Sequence, residues 1–292
     1  MTRWRLADRL LTFPPSLAVG IVNVTSDSFF EGARSETPER AVEDGMALVE
    51  AGFDLLDVGA VAARSGPPVS ADDEAARLVP AVEELAGRAG VPVTADTFQP
   101  EVARRALDAG AAAINDISGG ADPGMLDLVA ESGCGYVLMH IEGPPRADRE
   151  PAGHRDPAAH LQRWFRERIE TALEHGVAAE QIALDPGLDF DLSVDDDLEI
   201  LRRLGELRDL GHPLFVALSR KDFLGAVLAG SWEDRAAATE REWATAAATA
   251  LAVAEGAEMV RLHDRSALDA LHTAAAVSGR REPRQPSAAA NG

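Results

Sequence analysis

Positive charge is scarce in this chain of 292 residues. Lysine and arginine together number 28 against 49 aspartates and glutamates, which leaves a formal net charge of -21. A field of that sign repels nucleic acid and anionic membranes, so neither is expected as a partner. It also repels an anionic small substrate, so an enzyme that acts on one needs cations gathered at its site.

Cysteine is nearly absent. The single cysteine, Cys134, excludes an internal disulfide and a cysteine-based zinc site, and its apolar neighbours indicate a buried thiol rather than a nucleophile. No apolar run approaches the roughly 20 residues of a membrane-spanning helix. The first residues also lack the apolar core of a signal peptide. These features favour a cytoplasmic protein with no membrane partner.

Short apolar runs alternate with longer stretches of helical periodicity. The runs are continuously apolar, as expected for strands covered on both faces. Eight strand-then-helix units without a domain break predict a single (β/α)8 TIM barrel of the α/β class, with a doubly wound sheet as the alternative. The predicted strands are 17–23, 53–58, 92–96, 112–115, 135–139, 181–185, 213–218 and 258–262.

One helix is predicted after each strand, and the barrel is expected to occupy residues 1–279 as one domain. Residues 1–15 are interpreted as an extension or hairpin that closes the bottom of the barrel. The tail 280–292 is rich in alanine, proline and serine and is expected to be disordered. The predicted helices begin near Thr37, Ser70, Gln99, Pro123, Pro157, Ser193, Asp222 and Ser266.

Polar side chains follow the C-terminal end of every predicted strand. In a barrel these ends meet on one face, where active sites are built. Taken singly, an Asp after a strand is often a turn former or helix cap, which is our interpretation of Asp57, Asp116 and Asp264. Turn chemistry does not explain polar residues at all eight ends. They are Asn23, Asp57, Asp96, Asn115 with Asp116, His140, Asp185, Ser219 to Lys221, and Arg261 with His263 and Asp264.

The strand-end residues divide into a cationic group and an acceptor group. The cationic group follows the last two strands, which are neighbours in a barrel, and would supply the positive pocket that an anionic substrate needs. The acceptor group suits a flat heterocycle with amino and N–H groups, because a carboxylate accepts two parallel hydrogen bonds. The cations are Arg220, Lys221, Arg261 and His263, and the acceptors are Asp96, Asn115 and Asp185.

These segments resemble the motif set of the dihydropteroate synthase family, which is part of the pterin-binding barrel superfamily. The likeness runs from about Val19 to Asp264, in the family's order and spacing. Any one motif would be weak evidence, but seven in register are specific. The segments that carry the likeness are 21–29, 96–97, 114–120, 138–140, 185–187, 219–221 and 260–264.

The resemblance implies a transferase of folate biosynthesis and a sulfonamide target. Its reaction joins 7,8-dihydropterin-6-ylmethyl diphosphate to p-aminobenzoate, giving dihydropteroate and pyrophosphate, with Mg2+ as cofactor and a homodimer formed through the last helices. The implied catalytic residues are Asp96, Lys221 and Arg64; the substrate-binding residues are Asn115, Met139, Asp185, Phe190, Lys221, Ser219, Arg220, Arg261 and His263; and the metal ligand is Asn23.

The second loop departs from the family pattern, which usually reads Gly-Gly-Glu-Ser-Thr-Arg-Pro-Gly. Residues 59–66 here read Gly-Ala-Val-Ala-Ala-Arg-Ser-Gly, so Arg64 stays while the hydroxyls are replaced by Ala62 and Ala63. Because this loop helps to form the p-aminobenzoate site in the family, weaker sulfonamide binding is expected. The family's usual lysine after the third strand is Gln99 here, and its glycine in the sixth-strand motif is Asp189.

Three alternative functions remain open. A paralogue that binds pterins without condensing them would explain the altered second loop. A methyltetrahydrofolate:corrinoid methyltransferase shares the barrel but has little use for a cationic diphosphate site. A non-enzymatic scaffold would leave the polar strand ends without a cause.

Overall fold

A computed structural model describes residues 2–7, 9–24, 37–63, 66–147, 151, 153–263 and 265–280. Within these residues an antiparallel hairpin precedes eight further strands that alternate with helices. The strands are β1 (Thr2–Leu6), β2 (Arg9–Phe13), β3 (Leu17–Asn23), β4 (Leu55–Gly59), β5 (Val93–Asp96), β6 (Ala113–Asp116), β7 (Gly135–Met139), β8 (Ile182–Asp185), β9 (Phe215–Ala217) and β10 (Met259–Leu262).

The helices cover the outside of the sheet, and among the described residues none is long and apolar enough to cross a membrane. They are α1 (Pro38–Ala51), α2 (Ala71–Arg88), α3 (Pro100–Asp108), α4 (Pro123–Ser132), α5 (Pro157–Glu174), α6 (Val194–Arg202), α7 (Asp222–Ala229), α8 (Glu242–Glu255) and α9 (Arg265–Val277).

Eight parallel strands form one sheet in the order β8-β7-β6-β5-β4-β3-β10-β9. A bridge between Leu184 and Leu214 joins the two outer strands and brings the sheet to closure. The predicted (β/α)8 barrel is therefore confirmed. A doubly wound sheet is excluded, because an open sheet would leave its outer strands apart.

The predicted strands agree with the observed ones to within two residues at each end, but one helix was missed. Between β9 and β10 the sequence predicted a single helix from Asp222, whereas the structure has α7 and α8. Gly230 ends α7 in the left-handed conformation, with φ 71°. A non-glycine residue there would be strained, so this glycine was the signal for the break.

Side chains alternate between two layers along each barrel strand, because successive residues of a strand point to opposite faces. Outward residues such as Leu56 and Val58 join the helices in the main apolar core. Inward residues such as Leu55 and Phe215 form a second cluster inside the barrel. The hairpin β1–β2 adds buried Trp4, Leu6 and Phe13 to this inner cluster, so it closes the bottom of the barrel.

Candidate functional site

Polar side chains occupy the inward positions above the apolar bottom layer. A strand has a side-chain period of two, so the residue two places beyond an inward apolar residue also faces inward, closer to the carboxyl end. Four strands place a polar group there, which forms a ring at the carboxyl ends. The successive inward pairs are Leu55 and Asp57, Ala113 and Asn115, Ala183 and Asp185, and Met259 and Arg261.

Arg261 is the centre of a largely buried hydrogen-bond network. Its Nε donates to Asp57 Oδ2 at 2.5 Å, and its Nη2 donates to Asp96 Oδ2 at 2.7 Å. Asp57 also accepts from Asn115 Nδ2 at 3.0 Å and from the Thr94 hydroxyl. Side chains from β4, β5, β6 and β10 are thus held together, and three of the predicted site residues belong to one connected group.

The interpretation of Asp57 as a turn former is wrong, while the same interpretation of Asp116 is confirmed. Asp57 lies inside β4 and is fully buried in the network. Asp116 follows the inward Asn115 and accepts from the backbone N–H groups of Ser118 at 2.8 Å and Gly120 at 3.1 Å. Counting the strand alternation from Leu55 would have distinguished the two aspartates in the sequence.

The amide oxygen of Asn115 is buried without a hydrogen-bond partner among the described residues. A buried acceptor left unpaired costs about 1–3 kcal/mol, so it indicates where a ligand donor belongs. Asp185, which faces inward from β8, accepts from the backbone N–H of Gly187 at 2.9 Å. The amide and the two carboxyls of Asp96 and Asp185 form the acceptor set that a ring with N–H groups needs.

Burial makes the two acceptor carboxyls harder to ionise. It raises the pKa of Asp96 to about 7; the charge of Arg261 lowers this pKa, and the Asp57 charge raises it further. Burial likewise raises the pKa of Asp185 to about 6, against the Gly187 N–H and the charge of Lys221. A ligand that donates N–H groups would stabilise both ionised forms.

The predicted cationic group lies together at the ends of β9 and β10. Burial lowers the pKa of His263 to about 3, and the positive charges of Arg261, Arg220 and Lys221 lower it further. His263 is therefore neutral at physiological pH, and its Nδ1 lies 2.8 Å from Ser219 Oγ. The positive charge at this end of the barrel comes from arginine and lysine, while His263 and Ser219 offer hydrogen bonds.

Arg220 is held by its own loop. Its φ is 57°, its backbone N–H donates to Thr245 Oγ1 at 3.0 Å, and its Nη1 donates to the Ala238 carbonyl at 2.8 Å. At least one guanidinium nitrogen is thus bound to the turn before α8. The side chain of Arg220 is thus anchored in its loop, and its anion-binding role stays a prediction.

Lys221 is the only lysine in the sequence. It directly precedes α7, and its Nζ lies 4.4 Å from the centroid of the Phe190 ring. The composition shows that arginine supplies the positive charge everywhere else in the chain. A solitary lysine at a strand end is therefore a further signal in the sequence for a site residue.

An apolar slot borders the acceptor group. Met139 and Ile117, with Ile141, form a small buried cluster, against which the partly buried Phe190 packs. Ala63 of the second loop packs against the same cluster. Met139 is paired in register with Asp185, so apolar surface and acceptors adjoin. This arrangement suits a flat ring with polar edges.

Two departures from the family pattern have local structural partners. Asp189, with φ 71°, accepts from the backbone N–H groups of Asp222 at 2.8 Å and Phe223 at 3.1 Å, and so caps α7. Gln99 Nε2 donates to Glu74 Oε2 at 2.5 Å. Both side chains stabilise loops beside the site.

The remaining predicted site residues are placed in part. Asn23 is the last residue of β3, and alternation from the inward Val19 puts it on the inner face. Arg64 and Asp264 lie outside the described residues, as do 25–36 of the first loop and 281–292 of the predicted tail. The catalytic role of Arg64 stays a prediction.

Fold and site together define a class of protein. A closed (β/α)8 barrel that presents an apolar slot, buried acceptors and a cationic rim at its carboxyl ends is an enzyme barrel for a flat, N–H-bearing ring with an anionic substituent. The family model described as pterin binding enzyme matches residues 19–263. The chain belongs to the dihydropteroate synthase family, as its relatives show.

These relatives resemble the chain over most of its length. The dihydropteroate synthase of Mycobacterium leprae is 39% identical over 267 residues, which cover 89% of this chain and 93% of that protein. The crystal structure of the Stenotrophomonas maltophilia enzyme, with imidazole in its active site, has a TM-score of 0.84 at 37% identity and covers 95% and 98% of the two chains. The Xanthomonas albilineans enzyme in complex with 7,8-dihydropteroate has a TM-score of 0.80 at 35% identity, with the same coverage.

Proposed function

We propose that this protein condenses 7,8-dihydropterin-6-ylmethyl diphosphate with p-aminobenzoate at the carboxyl end of its barrel. The observation that carries the proposal is the unpaired amide oxygen of Asn115 in the same ring of strand ends as the carboxyls of Asp96 and Asp185, with cations at the ends of β9 and β10. The Xanthomonas albilineans relative was solved with 7,8-dihydropteroate, the product of this reaction.

The acceptor group would hold the pterin ring. Asn115 Oδ1 and the carboxylates of Asp96 and Asp185 accept from the amino and N–H groups along the ring edge, each charge-assisted bond contributing about 1.5–3 kcal/mol. Met139 and Phe190 would cover the ring faces. Lys221, beside Phe190, would donate to a ring acceptor as a point charge.

The cationic rim would bind the diphosphate. Arg261 and Arg220 supply charge, and the neutral His263 supplies an N–H. Because Arg261 is shared between Asp57 and Asp96, an anion at the rim and a donor ring in the pocket both alter the balance of this network. The two halves of the substrate would therefore bind cooperatively.

Mg2+ fits the oxygen of Asn23. Mg2+ prefers oxygen ligands and is usually held by one or two protein groups together with substrate phosphates. The amide of Asn23, at the inner end of β3, is a ligand of that kind, and the diphosphate would supply further oxygens. When bound, Mg2+ would neutralise part of the charge on the departing diphosphate.

Bond cleavage leaves positive charge on the pterin methylene. Asp96, ionised once the ring donors are bound, would stabilise that charge from a fixed position. The arylamine nitrogen then forms the C–N bond to the methylene, the diphosphate having left with the electron pair of the C–O bond, and the N–H proton is released to solvent. Positioning of the two substrates would supply much of the remaining acceleration.

The direct test is pyrophosphate release by the purified chain with both substrates and Mg2+. We expect release that requires p-aminobenzoate and a dihydropteroate product that is seen by mass spectrometry. Asn115→Ala should lose pterin binding in calorimetry. Pterin binding with no pyrophosphate release would instead support the non-condensing paralogue.

The second loop decides between these two functions. Ala62→Ser combined with Ala63→Thr restores the family's hydroxyls beside the slot, so we expect the KM for p-aminobenzoate to fall roughly 3- to 10-fold, as for one or two recovered hydrogen bonds. Sulfonamide inhibition constants should fall in parallel, while the KM for the pterin diphosphate stays constant. Unchanged KM and inhibition constants would show that the loop changes do not weaken the p-aminobenzoate site.

The proposal includes a cytoplasmic homodimer. Exposed apolar side chains gather on the last three helices, which supports the expected interface. Among the described residues these are Val227 and Leu228 on α7, Trp243 and Leu251 on α8, and Val277 on α9. The buried, unpaired thiol of Cys134 is compatible with a reducing compartment.

A further inference from the structure

Three histidines surround one carboxylate oxygen at the loop that follows β7. The Nε2 atoms of His160, His140 and His154 lie 2.7, 3.3 and 3.4 Å from Glu142 Oε1. We call His140, Glu142, His154 and His160 the histidine cluster. The function proposed above uses none of these side chains.

The cluster lies on the outer side of the barrel wall. His140 follows the inward Met139, so its side chain faces α5, where its ring meets the Trp164 ring edge-on at 5.0 Å between centroids. His160 lies in the first turn of α5. The centroid of its ring is 4.1 Å from the ring centroid of His154, which belongs to the preceding loop. The cluster thus spans the contact between the loop after β7 and α5.

His154 is oriented by a second carboxylate. Its Nδ1 lies 2.9 Å from Asp196 Oδ2, and its backbone N–H donates to both oxygens of Asp196 at 3.1 and 3.2 Å. Asp196 is buried at the start of α6. With the ring proton donated to Asp196, Nε2 presents a lone pair to Glu142. Metal-bound histidines in proteins are oriented by the same carboxylate–histidine arrangement.

His140 is fully buried, and neither ring nitrogen has a hydrogen-bond partner within the described part of the chain. Its Nε2 is near Glu142 but not in hydrogen-bond geometry. Lone pairs of imidazole nitrogens that face a carboxylate oxygen repel it unless a proton or a cation lies between them. A neutral imidazole carries one ring proton, so His140 and His160 can each direct an Nε2–H at Glu142, but His154 with its proton on Nδ1 cannot. One cation held between Oε1 and the Nε2 atoms would satisfy all of these ligand atoms at once.

We propose that the histidine cluster is a site for one divalent transition-metal ion of the Zn2+ class. Imidazole with one carboxylate suits Zn2+ and Co2+, whereas Mg2+ prefers an all-oxygen set, so this site is distinct from the Mg2+ site proposed at Asn23. The ligand atoms of His140, Glu142 and His160 lie within 4.8 Å of one another. Zinc bonds of about 2.0–2.2 Å in a tetrahedron need ligand atoms about 3.4 Å apart, so closure requires shifts of about 1 Å.

His154, with its Nε2 3.4 Å from Glu142 Oε1, would move in as the fourth ligand beside these three. Four protein ligands would leave no open position for substrate, so the ion would be structural. It would join the loop after β7 to the start of α5, and through Asp196 to α6. His140 directly follows Met139 in the chain, so an ion bound to His140 would also restrain the wall of the pterin slot from the outer side of the barrel. The expected consequence is a metal-dependent rise in stability that does not require substrates.

The test is a titration of the full chain, produced without a histidine tag and stripped with a chelator, with Co2+ alone. We expect one equivalent of Co2+ to bind with the intense visible absorption of a tetrahedral site, and Zn2+ to displace it. His160→Ala, Glu142→Gln and His154→Ala should each lose this absorption. Asp196→Asn should keep it with about 10- to 100-fold weaker affinity, as for other carboxylates that orient a metal-bound histidine.

His175→Ala is the matched control. His175 also contacts a carboxylate, with Nδ1 2.7 Å from Asp127 Oδ1, but it lies on the surface away from the cluster. This variant should bind Co2+ like the unaltered chain. Zn2+ at about 100-fold over its Kd should raise the Tm of the unaltered chain and of His175→Ala by about 5 °C. The Tm of His160→Ala should stay unchanged.

Two results would overturn the proposal: no stoichiometric Co2+ binding by the unaltered chain, or equal binding by His160→Ala. The first would leave the cluster as a proton-linked ion pair. Since the titration uses no substrate, it reports on the metal site even if the condensation assay fails. Should a variant not fold, the stoichiometry and spectrum of the unaltered chain still decide.

Discussion

The Asp96 carboxyl holds its proton more tightly in the folded chain than in water, because burial raises its pKa to about 7. The folded state therefore binds a proton that the unfolded state has released between about pH 4 and pH 7. The stability that comes from this proton is present below pH 4 and is lost as the pH rises through 7. Asp96 thus destabilises the fold at the pH where the proposed reaction needs its charge.

Asp96→Asn is expected to separate stability from function. The amide resembles the protonated acid, so the variant should be about 2 kcal/mol more stable than the unaltered chain at pH 8, with a gap that narrows towards pH 5. The loss of a fixed negative charge beside the methylene should reduce kcat/KM at least about 100-fold. Denaturant titrations at both pH values and initial rates would measure the two effects.

Asp108→Asn is the control, because Asp108 is an exposed aspartate at the end of α3. This substitution removes the same charge at the surface, so it should change neither the free energy of unfolding nor kcat/KM by much. A destabilised Asp96→Asn at pH 8 would mean that the bond from Arg261 outweighs the cost of burial.

Single residues show which site predictions were accessible from sequence. The strand-end positions of Asn115 and Asp185 follow from local pattern, and so does the inward direction of Asp57. The partners of Arg261 do not, since Asp57 is 204 residues away along the chain. A sequence pattern predicts that a charged side chain faces the interior, but not which charge meets it there.

Substitutions in the hairpin β1–β2 should change the stability of the fold without changing catalysis. Trp4 is fully buried, packs in the inner cluster and donates from Nε1 to the Gln181 carbonyl at 2.7 Å. Trp4→Ala should destabilise the fold by about 3–5 kcal/mol, as for other large buried aromatic residues. Since the hairpin lies at the opposite end of the barrel from the site, kcat/KM should stay within about twofold.

Leu10→Ala provides the comparison within the same hairpin, because Leu10 is 44% exposed. Thermal unfolding should show a small change for Leu10→Ala and a large one for Trp4→Ala. A large fall in kcat/KM of folded Trp4→Ala would indicate that the bottom layer transmits strain to the site.

At the scale of elements, strands were easier to predict than helices. A buried parallel strand is a short, continuous apolar run that is easily distinguished from its polar flanks. The sequence prediction merged α7 and α8 into one helix because both are rich in apolar residues, although Gly230 ends α7 and residues 230–241 separate it from α8. Tertiary packing decides whether such a stretch bends.

The whole molecule carries a net charge of -21, yet three of its cations, Arg220, Lys221 and Arg261, lie together at the ends of β9 and β10. The sequence predicted this local reversal from the needs of an anionic substrate. Burial makes the attraction of this cationic group for an anion stronger than in water, because a buried charge is less screened. The same burial keeps His263 neutral, contrary to its predicted place among the cations.

The exposed apolar side chains of the last helices predict an association of two chains. Trp243 on α8 is 80% exposed and Val277 on α9 is 85% exposed. Trp243→Glu should shift the sedimentation of the protein from a dimer to a monomer of 30.9 kDa. A charge placed in an apolar interface is unpaired and desolvated, so the dimer Kd should rise at least about 100-fold.

Leu173→Glu on α5 places the same charge on an apolar residue that is 45% exposed elsewhere on the surface. This variant should sediment like the unaltered chain. If both variants remain dimers, or if the unaltered chain is a monomer, the last helices do not form the interface.

The sequence by itself determined the eight strands, the barrel and the family, because each rests on patterns that span a few residues and recur in order. Only the tertiary structure decided that Arg261 is shared between Asp57 and Asp96, and that three histidines surround Glu142. Those contacts depend on how the sheet closes and on which loop folds against which helix. Closure converts distance along the chain into proximity, and the energy of a buried charge is set by the groups within a few ångströms of it.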